Sequence, residues 1–179
     1  MSNTKSLVTA SLFAALIAVT AFLQVPAPIP FTLQIMAIFI ISGIMPTKTA
    51  FLSVAIYLCL GAVGLPVFSG FKGGLGALFS ASGGYIISFL AIPLIMGIFN
   101  LCINHQKLSL IVGMFSSLLV VYIFGTAWYT LVYALEGRYE LTFASAFSVC
   151  VLPFLIPDII KILLSALVIT KIRGKISRI

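Results

Sequence analysis

The sequence predicts an all-α integral membrane protein with six transmembrane helices, both termini cytoplasmic, and a long Gly-rich loop between helices 3 and 4. Three observations lead there. Of 179 residues, 62% are hydrophobic and 7% charged, a proportion foreign to soluble domains of this size. The apolar residues gather into six runs separated by short polar or Pro/Gly-rich stretches. The basic residues collect on alternate connections: Lys5, Lys48, Lys107, Lys171, Arg173, Lys175 and Arg178 on one side, and only Lys72 and Arg138 on the other. That bias orients the N- and C-termini inward. So little polar sequence lies outside the runs that residues 1–179 read as one transmembrane domain. The same placement argues against nucleic acid as a partner, because no basic stripe interleaved with aromatics accompanies the net charge of +7.

The first run, about Leu7–Val25, has spanning length and is read as a helix rather than a signal peptide. It carries Ala10, Ala14 and Ala18 at four-residue spacing, with Ser11 and Ala15 alongside, so another helix can approach closely. That helix belongs either to this chain or to a partner. Pro26-Ala27-Pro28-Ile29-Pro30 then reads as a stiff external connector, with Gln24, Thr32 and Gln34 offering hydrogen-bonding groups at the outer mouth. The second run, Phe31–Met45, is short for a crossing, and the third is Thr49–Leu65.

From Leu60 to Tyr85 the chain holds eight of its fourteen glycines. Such a stretch cannot be helical throughout and reads as a closely packed loop, a lid or a cavity wall. Ser80, Ser82 and the amides near Gly83 and Gly84 fall where the fourth helix begins and are candidates for holding an anion. No Gly-Lys-Ser/Thr follows, which excludes a phosphate-cradling loop.

The fourth run is about Gly84–Ile103, the fifth Leu108–Tyr133, and the sixth about Leu141–Thr170, interrupted by Pro153 and Pro157. Trp128, Tyr129, Tyr133 and Tyr139 gather at the expected outer interface. His105 reads as a solvated residue of a cytoplasmic turn, and Glu136, Arg138 and Glu140 as solvated charges of an outer loop. Cys59, Cys102 and Cys150 are isolated and read as buried inert thiols. One histidine and scattered cysteines give no metal site, and no Ser/His/Asp set points to hydrolysis.

The sixth run contains the feature that carries the functional reading. Asp158 and Lys161 are the charges of an otherwise uncharged segment, and Lys161 lies ten positions before the tail that opens at Lys171. At about 1.5 Å per residue that places its ammonium roughly 15 Å into the apolar layer. A charge there is costly and faces a cavity or a partner. Three residues apart, the two share one helix face and compensate each other. Pro157 suits a first helical position, leaving free N–H groups nearby. Two readings follow: a structural ion pair between helices, or a polar ligand site at mid-membrane.

Gly61-Ala62-Val63-Gly64-Leu65-Pro66-Val67-Phe68, Gly73-Gly74-Leu75, Gly83-Gly84-Tyr85, Pro28-Ile29-Pro30-Phe31-Thr32-Leu33-Gln34 and the Pro157-Asp158 to Lys161 pattern, in this order, resemble the BioY family. Its members are biotin-specific substrate-capture (S) components of energy-coupling factor (ECF) vitamin transporters. Ser80-Ala81-Ser82 departs from the family's usual Gly-Pro-Thr. The resemblance implies no catalysis and no cofactor, biotin being the transported ligand. It implies a prokaryotic cell membrane location, a transmembrane coupling subunit and two ATPase subunits as partners, and Ala10, Ala14 and Ala18 as the docking face. It casts the Pro-rich and Gly-rich loops as lids. Asp158 would accept from the ureido N–H groups, Lys161 would donate to the ureido carbonyl, and Tyr85 would cover the apolar ring. Lys72 or the amides around Gly83 would meet the carboxylate, with Ser82, Gly84 and Gln34 as further ligand-site residues. The competing functions are capture of another vitamin by the same fold and a small membrane enzyme using Asp158 as acid or base.

Overall fold

A computed structural model describes residues 3–25, 29–137 and 142–176. Helix α1 (Asn3–Phe22) leads into a two-stranded antiparallel hairpin, β1 (Gln24–Val25) with β2 (Phe31–Thr32), in which Gln24 pairs with Thr32. Pro26–Pro28, the core of the expected connector, lies outside the described residues. Helices α2 (Gln34–Ile44) and α3 (Thr47–Ala62) follow, joined across Met45-Pro46. The Gly-rich stretch then runs through the short α4 (Leu75–Leu78) into α5 (Gly83–Ser88) and α6 (Ala91–Cys102). Helix α7 (Gln106–Leu135) is the longest, and α8 (Phe143–Cys150), a 3₁₀ turn (Leu152–Phe154) and α9 (Leu155–Ile176) complete the chain.

Among the described residues, four spans have the length and hydropathy to cross a membrane: Thr4–Phe22, Gly83–Cys102, Gln106–Leu135 and Phe143–Lys175. They match the first, fourth, fifth and sixth runs. The second and third form shorter helices. At about 1.5 Å per residue, the 11 residues of α2 extend only about 16 Å. Part of that run is spent on β2, so the helix starts three residues later than the hydropathy does.

The fourth run is not one helix. Pro93 has no N–H to give the carbonyl of Phe89, and around it Phe89, Leu90 and Ile92 use tighter i→i−3 bonds. The sixth run breaks where Pro153 sits in the 3₁₀ turn. Pro157 departs from its expected place: α9 begins at Leu155, so Pro157 is its third residue, still within the turn whose amides lack helical partners. His105 is exposed in the turn before α7, as expected, and also acts locally. Its Nδ1 accepts from the Leu108 amide at 3.3 Å, capping α7.

Helix α1 packs along α3, α6 and α5 pack along α7, and α2 packs along α9. The Ser6 and Thr49 hydroxyls join at 3.0 Å across the first pair. Arg173 Nε donates to the Gly43 carbonyl at 2.7 Å across the last, near the C-terminal ends of both helices. The α2 and α9 helices therefore run side by side in one direction, and their N-terminal ends flank the same cavity.

Candidate functional site

Asp158 and Lys161 sit on the first turns of α9, 3% and 5% exposed. Lys161 Nζ lies 2.8 Å from Asp158 Oδ1. The second carboxylate oxygen accepts from the Tyr122 hydroxyl of α7 at 2.5 Å. The ammonium also stands 3.8 Å from the centroid of the Phe31 ring, carried on β2. Three elements distant in sequence thus converge on one ion pair. The pair is not sealed between helices: it opens on a cavity lined by Asp158, Lys161, Tyr122, Phe31, Tyr85 and Gln34, with Lys72, Ser82, Phe68, Phe154 and Cys150 among the rest of the wall.

Each wall residue has a local cause. Tyr85 projects from α5 onto α7, where Gly125 leaves room; a Cβ there would lie 2.3 Å from the ring. Its hydroxyl pairs with Thr126 at 2.9 Å, so its polar tip has a partner within the protein. Phe68 is seated the same way. A Cβ on Gly61 would come within 2.0 Å of its ring, and Tyr57 meets it edge-on at 5.5 Å. Gln34 is held in a chain: Thr32 Oγ1 donates to its Oε1 at 3.1 Å, and its Nε2 donates to the Tyr57 hydroxyl at 2.5 Å. Phe31 stacks on Phe154 of the 3₁₀ turn at 6.1 Å, tying the hairpin to the break before α9.

The Gly-rich stretch forms the opposite wall. Phe68 and Lys72 make an antiparallel bridge, the Gly74 amide donates to the Gly61 carbonyl at 2.7 Å, and Phe71 stacks on Phe22 at 4.5 Å. The Ser69 hydroxyl donates to Gln24 Oε1, joining this stretch to β1. Lys72 is exposed at the rim of the cavity.

Six of the residues singled out from the sequence therefore border one cavity: Asp158, Lys161, Tyr85, Lys72, Ser82 and Gln34. Gly83 and Gly84 do not. The Gly83 amide already donates to the Ser80 carbonyl at 2.9 Å, and Gly84 is pressed against Trp128. Ser80 is occupied too: its hydroxyl donates to the Ala77 carbonyl, and its carbonyl accepts from Trp128 Nε1 at 3.1 Å. Ala10 and Ala14 are fully buried within the chain, on the side of α1 covered by its own bundle, and Ala18 is half-buried. Ser11 and Ala15 face outward instead.

The cysteines divide. Cys150 is buried in the cavity wall, whereas Cys59 and Cys102 lie on the outer surface of the bundle, not in its core. Trp128 stacks between Phe79 and Phe124, and Tyr129 lies 4.6 Å from Tyr133. Tyr139, Arg138 and Glu140 lie outside the described residues, as does Arg178. Among the described residues, no three His, Cys, Asp or Glu gather as metal ligands. Tyr122, Phe31 and Phe154 are the site residues that sequence reasoning missed. A tyrosine in mid-run is a weak signal, because its hydroxyl needs a partner in an apolar layer. Nothing local names Asp158 as that partner, 36 positions away.

The model of the BioY family matches residues 1–178. A "Biotin transporter BioY" of Thermotoga maritima is 35% identical over 94% of this chain and 96% of its own length. A "Probable biotin transporter BioY" of Pyrococcus horikoshii is 34% identical over 92% of this chain and 93% of its own. A crystal structure of the S-component for biotin from an ECF-type ABC transporter superposes with a TM-score of 0.83 at 25% identity, covering 97% of this chain and 95% of that one. A match along almost the whole chain, together with close agreement of fold, leaves one conclusion: this protein is a member of the BioY family.

Proposed function

We propose that this protein captures biotin at the Asp158–Lys161 cavity and delivers it across a prokaryotic cell membrane as the S component of an ECF-type importer. Residues 1–179 act as one substrate-binding domain with both termini cytoplasmic, and α2 and α3 complete six crossings beside the four long spans. A transmembrane coupling subunit and two ATPase subunits supply the energy. The observation that carries the reading is that the buried ion pair opens on a cavity instead of closing a helix contact. A buried pair adds little to stability by itself, and a partner with complementary hydrogen bonds gives it a use.

The ureido ring of biotin has two N–H donors and one carbonyl. Asp158 accepts from the former and Lys161 donates to the latter, while Tyr85, Phe68 and Phe31 enclose the apolar thioether ring. The carboxylate tail points to the rim, where Lys72 meets it. Gln34 and Ser82 serve as adjoining polar contacts. Gly83 and Gly84 shape the α5 entry rather than donating to the tail. Docking on the small-residue side of α1 takes place with Ala10 and Ala14 already packed in the bundle, so Ala18, Ser11 and Ala15 form the accessible part of that surface.

The test is direct titration of the detergent-purified, ligand-stripped chain with biotin, by calorimetry or by fluorescence of Trp128, whose indole is bonded to the Gly-rich stretch. Saturable one-to-one binding with a nanomolar constant is expected, and Asp158→Asn and Lys161→Ala each weaken it about tenfold or more. If both variants stay within about a factor of two, the ligand sits elsewhere.

A further inference from the structure

We propose that Tyr122 is a specificity-setting positioning residue: by filling one acceptor site of Asp158, it matches the site to a ring with two N–H donors and one acceptor. The inference rests on the biotin reading and deepens it. A carboxylate offers about four lone-pair sites and an ammonium three donors. On Asp158, Oδ2 takes the Tyr122 hydroxyl at 2.5 Å and Oδ1 takes Lys161 at 2.8 Å, which leaves two acceptor sites. On Lys161, one side faces Asp158 and another the Phe31 ring at 3.8 Å, which leaves one donor. The unfilled capacity is two acceptors and one donor, the complement of a cyclic urea.

Local sequence does not impose this count. Without the Tyr122 hydroxyl, Asp158 would present three open sites. A cyclic urea would fill two and leave one buried lone pair unpaired, which is costly in an apolar surrounding. A cyclic guanidine, with an exocyclic N–H group in place of the carbonyl, brings the further donor. In the native site that group instead meets the remaining Lys161 donor, so the guanidine is rejected both by lack of an acceptor and by like charge. Tyr122 comes from α7 and Asp158 from α9, so the packing of these two helices fixes the preference. The Tyr122 ring also borders the cavity, but its hydroxyl is turned to the carboxylate.

The experiment compares biotin with 2-iminobiotin, its cyclic guanidine analogue, on the full chain and on Tyr122→Phe, which keeps the ring and deletes only the hydroxyl. Thermal melting in detergent checks that each is folded. The native chain is expected to prefer biotin. In Tyr122→Phe, biotin weakens about tenfold while the preference for biotin over 2-iminobiotin narrows by about fivefold or more. Equal losses for the two ligands would mean that Tyr122 only stabilises the fold, and unchanged affinities would mean that its hydroxyl is idle; either overturns the inference. A Tyr122→Phe chain that fails to melt cooperatively is replaced by Tyr122→Leu, whose side chain carries no donor for Oδ2, with the same narrowing expected and equal losses again overturning it. If the native chain binds no biotin, the functional reading fails and takes this inference with it. Native binding with equal losses sinks the inference alone.

Discussion

Lys161 illustrates how one residue is made tolerable in an apolar layer. It is 5% exposed, and its charge is met by Asp158 at 2.8 Å and by the Phe31 ring face at 3.8 Å. Removing only one member of such a pair strands the other, which typically costs about 3–5 kcal/mol in buried sites. Lys161→Ala alone is therefore expected to lower the melting temperature as well as biotin affinity. Replacing both charges at once, Asp158→Leu with Lys161→Met, is expected to recover part of that loss, short of the native value because the Tyr122 hydroxyl loses its acceptor, while abolishing binding. A double variant as unstable as Lys161→Ala would show that the pair is needed by the fold itself. Gly125 belongs to the same scale. Any side chain there strikes the Tyr85 ring, so Gly125→Val is expected to cost about tenfold or more in biotin affinity. Tyr85→Phe keeps the ring, loses only the bond to Thr126, and is expected to stay within about threefold. The pair of titrations separates ring contact from hydroxyl contact.

Among the elements, α2 and α9 form the unit that links the cavity to the far end of the bundle. Their N-terminal ends bring Gln34, Asp158 and Lys161 to one cavity, and their C-terminal ends are pinned by Arg173 on the Gly43 carbonyl. A cation at the C-terminal carbonyls of a helix also complements its dipole. Arg173→Gln is expected to lower stability by about 1–2 kcal/mol, from loss of a charge-assisted bond. Because the pin lies far from the cavity, biotin affinity is expected to change by less than about threefold. Denaturation and titration of the same sample check both statements. A large affinity loss with unchanged stability would mean that the two ends communicate. The Gly-rich stretch is joined to the end of α1 by the Phe22–Phe71 stack and to the hairpin by the Gln24–Ser69 bond, so it is held to both.

At the scale of the whole molecule, composition and charge placement decided that the chain is helical and built for a membrane, since so few charges and such long apolar runs admit little else. Two proximities were also legible: Asp158 and Lys161 share a face at a spacing of three, and a Gly-rich stretch cannot stay helical. These are local consequences of helix geometry and glycine freedom, so no tertiary information was needed. Element ends were less legible. Hydropathy does not register that Phe31–Thr32 is a strand, that Pro93 divides the fourth run, or that α9 starts two residues before Pro157. The surroundings of Gly83 and Gly84 were not legible either: a helix start offers amides, but tertiary and turn contacts give the Gly83 amide to the Ser80 carbonyl and set Gly84 against Trp128. Ala10 and Ala14 likewise read as a surface for any helix, and only packing chose this chain's own bundle. Small-residue spacing states that a close approach is possible and is silent about whose helix makes it. The partners of the ion pair belong to the same class. Tyr122 lies 36 positions from Asp158 and Phe31 lies 130 from Lys161, on elements whose register against α9 depends on every intervening contact. The sequence by itself determined the class of protein and the charges at its heart; the tertiary structure decided which side chains complete their hydrogen bonds, because that depends on how separate helices pack and not on any pattern within one of them.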